Sequence, residues 1–179
     1  MKKMISQHKK VIGTLIFLLS LSNYALAQSK IDVIETIKVS GVAEVYFTHQ
    51  EYEKIRKIVT GKPSSEVIVD FKDGVLEIDT KGEAHNEVVE VYVSSLHLKN
   101  IVVEDAAQFH TTNGIQSETL TVTVDDRGTA DLDVNTNSLE INMSGGDLTV
   151  SGETNICTTL KLEGHERGTL NSRSLVVKQ

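Results

Sequence analysis

Four aspartates fall within one short stretch: Asp125, Asp126, Asp131 and Asp133. Carboxylates at this density can bind calcium through hard oxygen donors, or act as the acid and base of glycoside cleavage. Asp131 and Asp133 alternate with Ala130, Leu132 and Val134. That is the period-two pattern of a strand, so both carboxylates share the face opposite the apolar one. A polysaccharide lyase would also need a strong base beside bound calcium, and Arg127 is the one candidate nearby. Outward acids on a solvated strand are the ordinary case.

Other chemistry is weaker still. Gly145-Gly146-Asp147-x-x-Val150 matches one copy of a calcium-binding nonapeptide, a motif that works by stacking several copies. His97, His110 and His165 are scattered, with no spacing suited to zinc. The single cysteine, Cys157, has no histidine and carboxylate close in sequence and reads as a small buried apolar residue. Asp125-Asp126-Arg127-Gly128 lacks the glycine-lysine-hydroxyl pattern of a phosphate loop, and no G-x-S-x-G elbow occurs. The sequence therefore predicts no catalytic residue, no cofactor and no metal centre. Asp125, Asp126, Asp131 and Asp133 stand as its candidate ligand or calcium face.

The elements that must carry these residues are short strands. Ile37 and Val39 alternate with polar neighbours, Ser40-Gly41 turns, and 44–47 continues as a strand. Residues 52–59 fit a strand better than a helix. Strands at 67–71 and 75–78 flank Asp73-Gly74, the strongest hairpin signal in the chain, because both turn positions need positive φ. A polar loop covers 81–86 and a strand 88–93. From Leu98 onward the pattern is regular. Ile101 and Val103, then Ala107 and Phe109, then Leu120, Val122 and Val124 face inward. Ala130, Leu132 and Val134, then Leu139, Ile141 and Met143, then Leu148 and Val150, and finally Leu160, Leu162 and Leu170 do the same.

The phrase Ile37-Lys38-Val39-Ser40-Gly41 returns as Ile141-Asn142-Met143-Ser144-Gly145. Ile101, Leu120, Leu139 and Leu160 start units spaced by 19, 19 and 21 residues. Asn113, Asn137, Asn155 and Asn171 recur before the next strand, three of them in Thr-Asn pairs, and are expected to align as a ladder. Units this short cannot bury their own apolar face and must stack. The expectation is an all-β fold: a right-handed parallel β-helix-like stack of short coils, with an antiparallel N-terminal portion.

Lys2, Lys3, Lys9 and Lys10 precede an apolar run from Val11 to Leu21, and Ala25-Leu26-Ala27 is a small-x-small cleavage site. Residues 1–27 thus read as a signal peptide and 28–179 as a single exported domain, with no stable membrane span after cleavage. The leader holds no acid, so the remainder has 14 basic and 25 acidic residues, a net charge of −11. Such a domain is poorly suited to nucleic acid, whose phosphates require clustered Lys and Arg.

Ile37-x-Val39-x-Gly41, Asp73-Gly74-x-Leu76-x-Ile78, Leu98-x-x-Ile101-x-Val103 and the Ser-Gly-Gly and Gly-x-Leu turns, behind a signal peptide, carry a resemblance. Over residues 35–175 the chain resembles the head GIN domain, or putative auto-transporter adhesin, of exported bacterial proteins. That resemblance implies a right-handed β-helix-like fold and adhesion at the cell envelope, and it transfers no catalytic residues. The family usually continues through further glycine-rich coils, whereas this chain stops at Val176-Val177-Lys178-Gln179. An open edge there would invite self-association.

The expected function is a non-enzymatic cell-envelope or secreted binding module, periplasmic or outside the cell. Its partner would be an envelope protein, a matrix protein or a glycan. The alternative is a carbohydrate-binding or carbohydrate-active β-helix that uses the acidic face, where Thr121, Thr123, Asn142 and Thr149 also offer hydrogen bonds. A third reading is a structural or stress-related envelope protein with no ligand.

Overall fold

Alternation of Val, Ile and Leu with polar residues runs through nearly every segment, and the computed structural model turns it into strands throughout. It describes residues 33–60, 66–81, 88–161 and 168–178, and no helix occurs among them. The leader (1–27) and start of the exported domain, most of the 81–86 loop, and Leu162 and His165 lie outside the described residues. Twelve strands follow in order: β1 (Thr36–Val39), β2 (Ala43–His49), β3 (Lys54–Thr60), β4 (Glu66–Lys72), β5 (Val75–Lys81) and β6 (Val88–Ser95). Then come β7 (Asn100–Val103), β8 (Gln108–Thr111), β9 (Ile115–Val124), β10 (Thr129–Met143), β11 (Asp147–Lys161) and β12 (Thr169–Val177).

The sheet has two arms that meet in the long strand β10. One arm runs β4-β5-β1-β7-β9 and joins the second half of β10. The other runs β3-β6-β2-β8 and joins the first half. β11 pairs along both halves of β10, and β12 pairs with the first half of β11. Every one of these pairings is parallel except two: β4 against β5, and β3 against β6. The antiparallel pieces expected near the N-terminus are therefore β3 and β4, the outermost strand of each arm, while β1 and β2 sit in the interior.

Register explains the repeated phrase. Leu76, Ile37, Ile101, Val122 and Ile141 are successive Cα partners across the first arm. Ile78, Val39, Val103, Val124 and Met143 form the next file. Ile37 and Ile141 thus occupy one file although 104 positions separate them. In the second arm Val91, Val45, Phe109, Ala130 and Leu148 align, and Phe47 and Phe109 stack at 6.2 Å. All these side chains are buried, in one apolar cluster that draws on both arms. The inward faces of the two arms therefore pack on each other, each buried Ile, Leu or Phe contributing about 2 kcal/mol.

The spacing of the units differs from the expected one. Ile101 pairs with Val122, not with Leu120, and Leu139 pairs with Cys157, not with Leu160. Leu160 is 52% exposed and lies outside the core, whereas Cys157 is half-buried against it. The steps along one file are 21, 19 and 18 residues, because corner and turn lengths vary while the backbone ladder keeps its register.

Tight turns lie on one another between the arms. The predicted Asp73-Gly74 hairpin is present, with φ of 51° and 83°. At Gly146, φ is 65° and an added Cβ would stand 2.2 Å from the Gly128 carbonyl oxygen. Close approach of the 144–146 turn to the 125–128 turn therefore requires glycine. Asp147 N donates to Gly128 O at 2.9 Å, and Thr169 N to Gly146 O at 2.9 Å.

Candidate functional surfaces

Asp131 and Asp133 project from β10 on the outer face, both exposed. Asp125 and Asp126 lie in the turn before it. There the Asp125 carboxylate accepts from the Asp126 amide at 2.9 Å, and Asp126 has a φ of 51°. Asp133 lies between Gly114 and Gly152, and its own amide is 2.9 Å from Thr111 Oγ1. Asp131 stands in register with His110 on one side and Thr149 on the other. Among the described residues no three His, Cys, Asp or Glu side chains are grouped closely enough to hold a metal ion.

A second surface was not foreseen from the sequence. Arg56, Tyr92, Tyr46 and His110 are successive Cα partners across β3, β6, β2 and β8. The Arg56 guanidinium lies 4.7 Å from the Tyr92 ring centre, Tyr92 stacks on Tyr46 at 5.2 Å, and Tyr46 on His110 at 5.4 Å. Such cross-strand aromatic and cation–π pairs each add a fraction of a kcal/mol to about 1 kcal/mol. Two carboxylates border the row. The Tyr46 hydroxyl donates to Glu44 at 2.6 Å and the Tyr92 hydroxyl to Glu90 at 3.0 Å. The Glu44 bond, helped by burial and the nearby negative charges, pushes the Tyr46 phenol up to about 12. The Glu90 bond raises that of Tyr92. The sequence does carry a signal for this row: Glu44-Val45-Tyr46 returns as Glu90-Val91-Tyr92. The stacked rings turn their faces to each other, so what they offer outward is edges and hydroxyls.

The asparagine ladder is real over part of its expected length. Asn155 Nδ2 donates to Asn137 Oδ1 at 2.7 Å, and Asn137 Nδ2 donates to Glu118 at 2.9 Å. Asn113 belongs to another pairing, exchanging hydrogen bonds with the backbone of His49 at 2.7 and 3.0 Å. Asn171, on β12, pairs in register with Thr149 of β11, away from both. Burial, and secondarily His97, lowers the pKa of His49 beside Asn113.

Comparison with known proteins adds to this geometry. Residues 34–179 match the family described as putative auto-transporter adhesin, head GIN domain. The chain belongs to this family. Among solved structures, a putative adhesin from Parabacteroides distasonis is 21% identical with a TM-score of 0.58, covering 82% of this chain and 72% of its own. A putative adhesin from Parabacteroides merdae is 18% identical, TM-score 0.54, with 82% and 71% covered. A putative lipid binding protein from Parabacteroides distasonis is 12% identical, TM-score 0.55, with 80% and 71% covered. At these identities they share the fold of this head GIN domain. The search of curated proteins finds no match.

Proposed function

We propose that this head GIN domain is a non-enzymatic binding module of the cell envelope or exterior, acting in adhesion. Membership of the adhesin family over residues 34–179 is the observation that carries this reading. The basic and apolar leader at 1–27 supports export, leaving 28–179 as one domain. No helix among the described residues is long and apolar enough to cross a membrane. Parallel pairing through the two arms supports reading each β-turn-β unit as part of a right-handed β-helix-like coil. Such a scaffold holds outward residues in straight rows about 4.8 Å apart, suited to a repetitive partner. The partner would be an envelope protein, a matrix protein or a glycan. The outer edge of β12, which pairs with β11 alone among the described strands, is a second contact surface, through which two copies would add strand to strand.

The test is a binding screen of the purified chain against immobilised envelope proteins, matrix proteins and glycans, with light scattering across concentrations. Saturable binding to one class is expected. Binding to none would overturn the adhesion reading, and a monomer at every concentration would overturn the strand-edge contact.

A further inference from the structure

The corner in the middle of β10 and β11 forms a polar groove of about 320 Å³. Here Thr136 and Thr154 turn inward, 5% and 1% exposed, and their hydroxyls bond at 3.2 Å. The backbone register passes from Thr136↔Thr154 to Ser138↔Ile156, omitting Asn137 and Asn155. Those two asparagines close the gap with their side chains, in the row Glu118–Asn137–Asn155. A second row lies on the other flank of the corner, where Gln116, Asn135 and Glu153 are Cα partners on β9, β10 and β11. The Lys178 ammonium pairs with Glu153 at its end.

The two rows differ in hydrogen-bonding state. In the first row amides bond one another. In the second, the Gln116 and Asn135 amides are exposed and hold no partner among the described residues. Each is both donor and acceptor, and the two point outward on neighbouring strands about 4.8 Å apart. Planar amides so placed bond vicinal hydroxyl groups in pairs. The rung spacing is close to the advance per sugar of an extended β-linked pyranose chain, so neighbouring sugars each come within reach of one amide. The groove's two charged lining residues, Glu153 and Lys178, pair with each other, so its lining carries no net charge and suits a neutral ligand. A volume of about 320 Å³ is at the lower end of the usual range for ligand sites, so the groove holds a short stretch of a longer chain.

We infer that this corner groove is a glycan-binding site for neutral, extended, β-linked polysaccharide, with Gln116 and Asn135 as its principal hydroxyl-binding residues. The inference deepens the binding-module reading and rests on it. The signal in the sequence is Asn135-Thr136-Asn137 recurring as Glu153-Thr154-Asn155.

The experiment titrates the purified chain with cellohexaose, xylohexaose and N-acetylchitohexaose, following side-chain amide resonances by NMR and heat by calorimetry. At least one is expected to bind with Kd at or below about 1 mM and to move the Gln116 and Asn135 amide signals. Gln116→Ala and Asn135→Ala should each weaken that binding about tenfold, while Glu140→Gln, on the second half of β10, should leave it unchanged. Both sites are exposed, and unchanged far-ultraviolet circular dichroism will confirm folding. Maltohexaose, which is α-linked and coils, should bind at least tenfold more weakly. Absence of any amide shift, binding indifferent to both substitutions, or equal affinity for maltohexaose would overturn the inference. If the chain adheres to its partner undiminished with both amides removed, the groove assignment fails while the module reading stands. If it adheres to nothing yet binds an oligosaccharide here, the reverse holds.

Discussion

Substituting Gly146 by alanine tests whether the tight turns between the two arms really rest on one another. In the left-handed region, at a φ of 65°, an alanine costs about 1 kcal/mol relative to glycine. Its Cβ would also lie 2.2 Å from Gly128 O and 2.7 Å from Val124 Cγ1. The nearer atom is backbone, so the 144–146 turn must move away. That movement strains the hydrogen bonds from Asp147 N to Gly128 O and from Thr169 N to Gly146 O, each contributing about 1 kcal/mol. Together these give a loss of about 3 kcal/mol, or roughly 10 °C in Tm for a domain of this size. Gly114→Ala is the matched control. Its φ is outside the left-handed region and its Cβ meets the Asp133 carboxylate at 3.2 Å, an exposed side chain that can swing aside. Reduced freedom of the unfolded chain offsets that contact, so the change should stay within about 1 kcal/mol. Urea denaturation followed by circular dichroism measures both. A Gly146→Ala variant within about 1 kcal/mol of the parent, at unchanged m-value, would refute the packing of one turn on the next.

Further outcomes follow from the same geometry. Leu139→Ala should lower stability by about 3 kcal/mol, because the side chain is fully buried in the two-armed core. Leu160→Ser should change it by less than about 0.5 kcal/mol, since the residue is 52% exposed; thermal melts compare the two. Tyr46 should ionise near pH 12, and Glu44→Gln should bring that midpoint down, as read by ultraviolet absorbance. The folded state holds this proton more tightly than the unfolded chain, whose phenol titrates near 10. Its contribution is therefore complete below about pH 10 and is lost as pH rises towards 12. Calcium at millimolar concentration should leave Tm unchanged, as no three acidic groups converge among the described residues. A rise abolished by Asp131→Ala or Asp133→Ala would instead establish the acidic face as a calcium site.

Strand positions, turn residues and the inward face were legible in the sequence because each depends on near neighbours. Alternation gives the strands, and Asp73-Gly74 gives the hairpin. Ile37 and Ile141 could be seen to match because equivalent positions along one file of a sheet select similar side chains. Register was harder. The backbone ladder aligns Leu139 with Cys157, while spacing alone favours the more apolar Leu160, which lies on the exposed last stretch of β11. The Arg56–Tyr92–Tyr46–His110 row was hidden for a similar reason. Its members come from four strands whose spatial order, β3-β6-β2-β8, differs from their chain order. Asn137 and Asn155 were recognisable as a ladder because neighbouring strands carry them 18 residues apart. Asn113 and Asn171 share the residue type but fall at other places in the register.

The interior position of β1 and β2 governs the order in which this chain can fold. β1 must wait for β5 and for β7, and the contact of Ile37 with Ile101 closes a loop of 64 residues. β2 likewise waits for β6 and β8. From β9 to β12, by contrast, each strand finds its neighbour about 20 residues away. Loop closure favours the shorter separations. Apart from the local β4–β5 hairpin, the segment made last therefore assembles first and serves as the template on which β1 and β2 condense. A chain emerging N-terminus first would stay pliant until residues beyond 111 had followed, and the strands at its head would be the last to find their places.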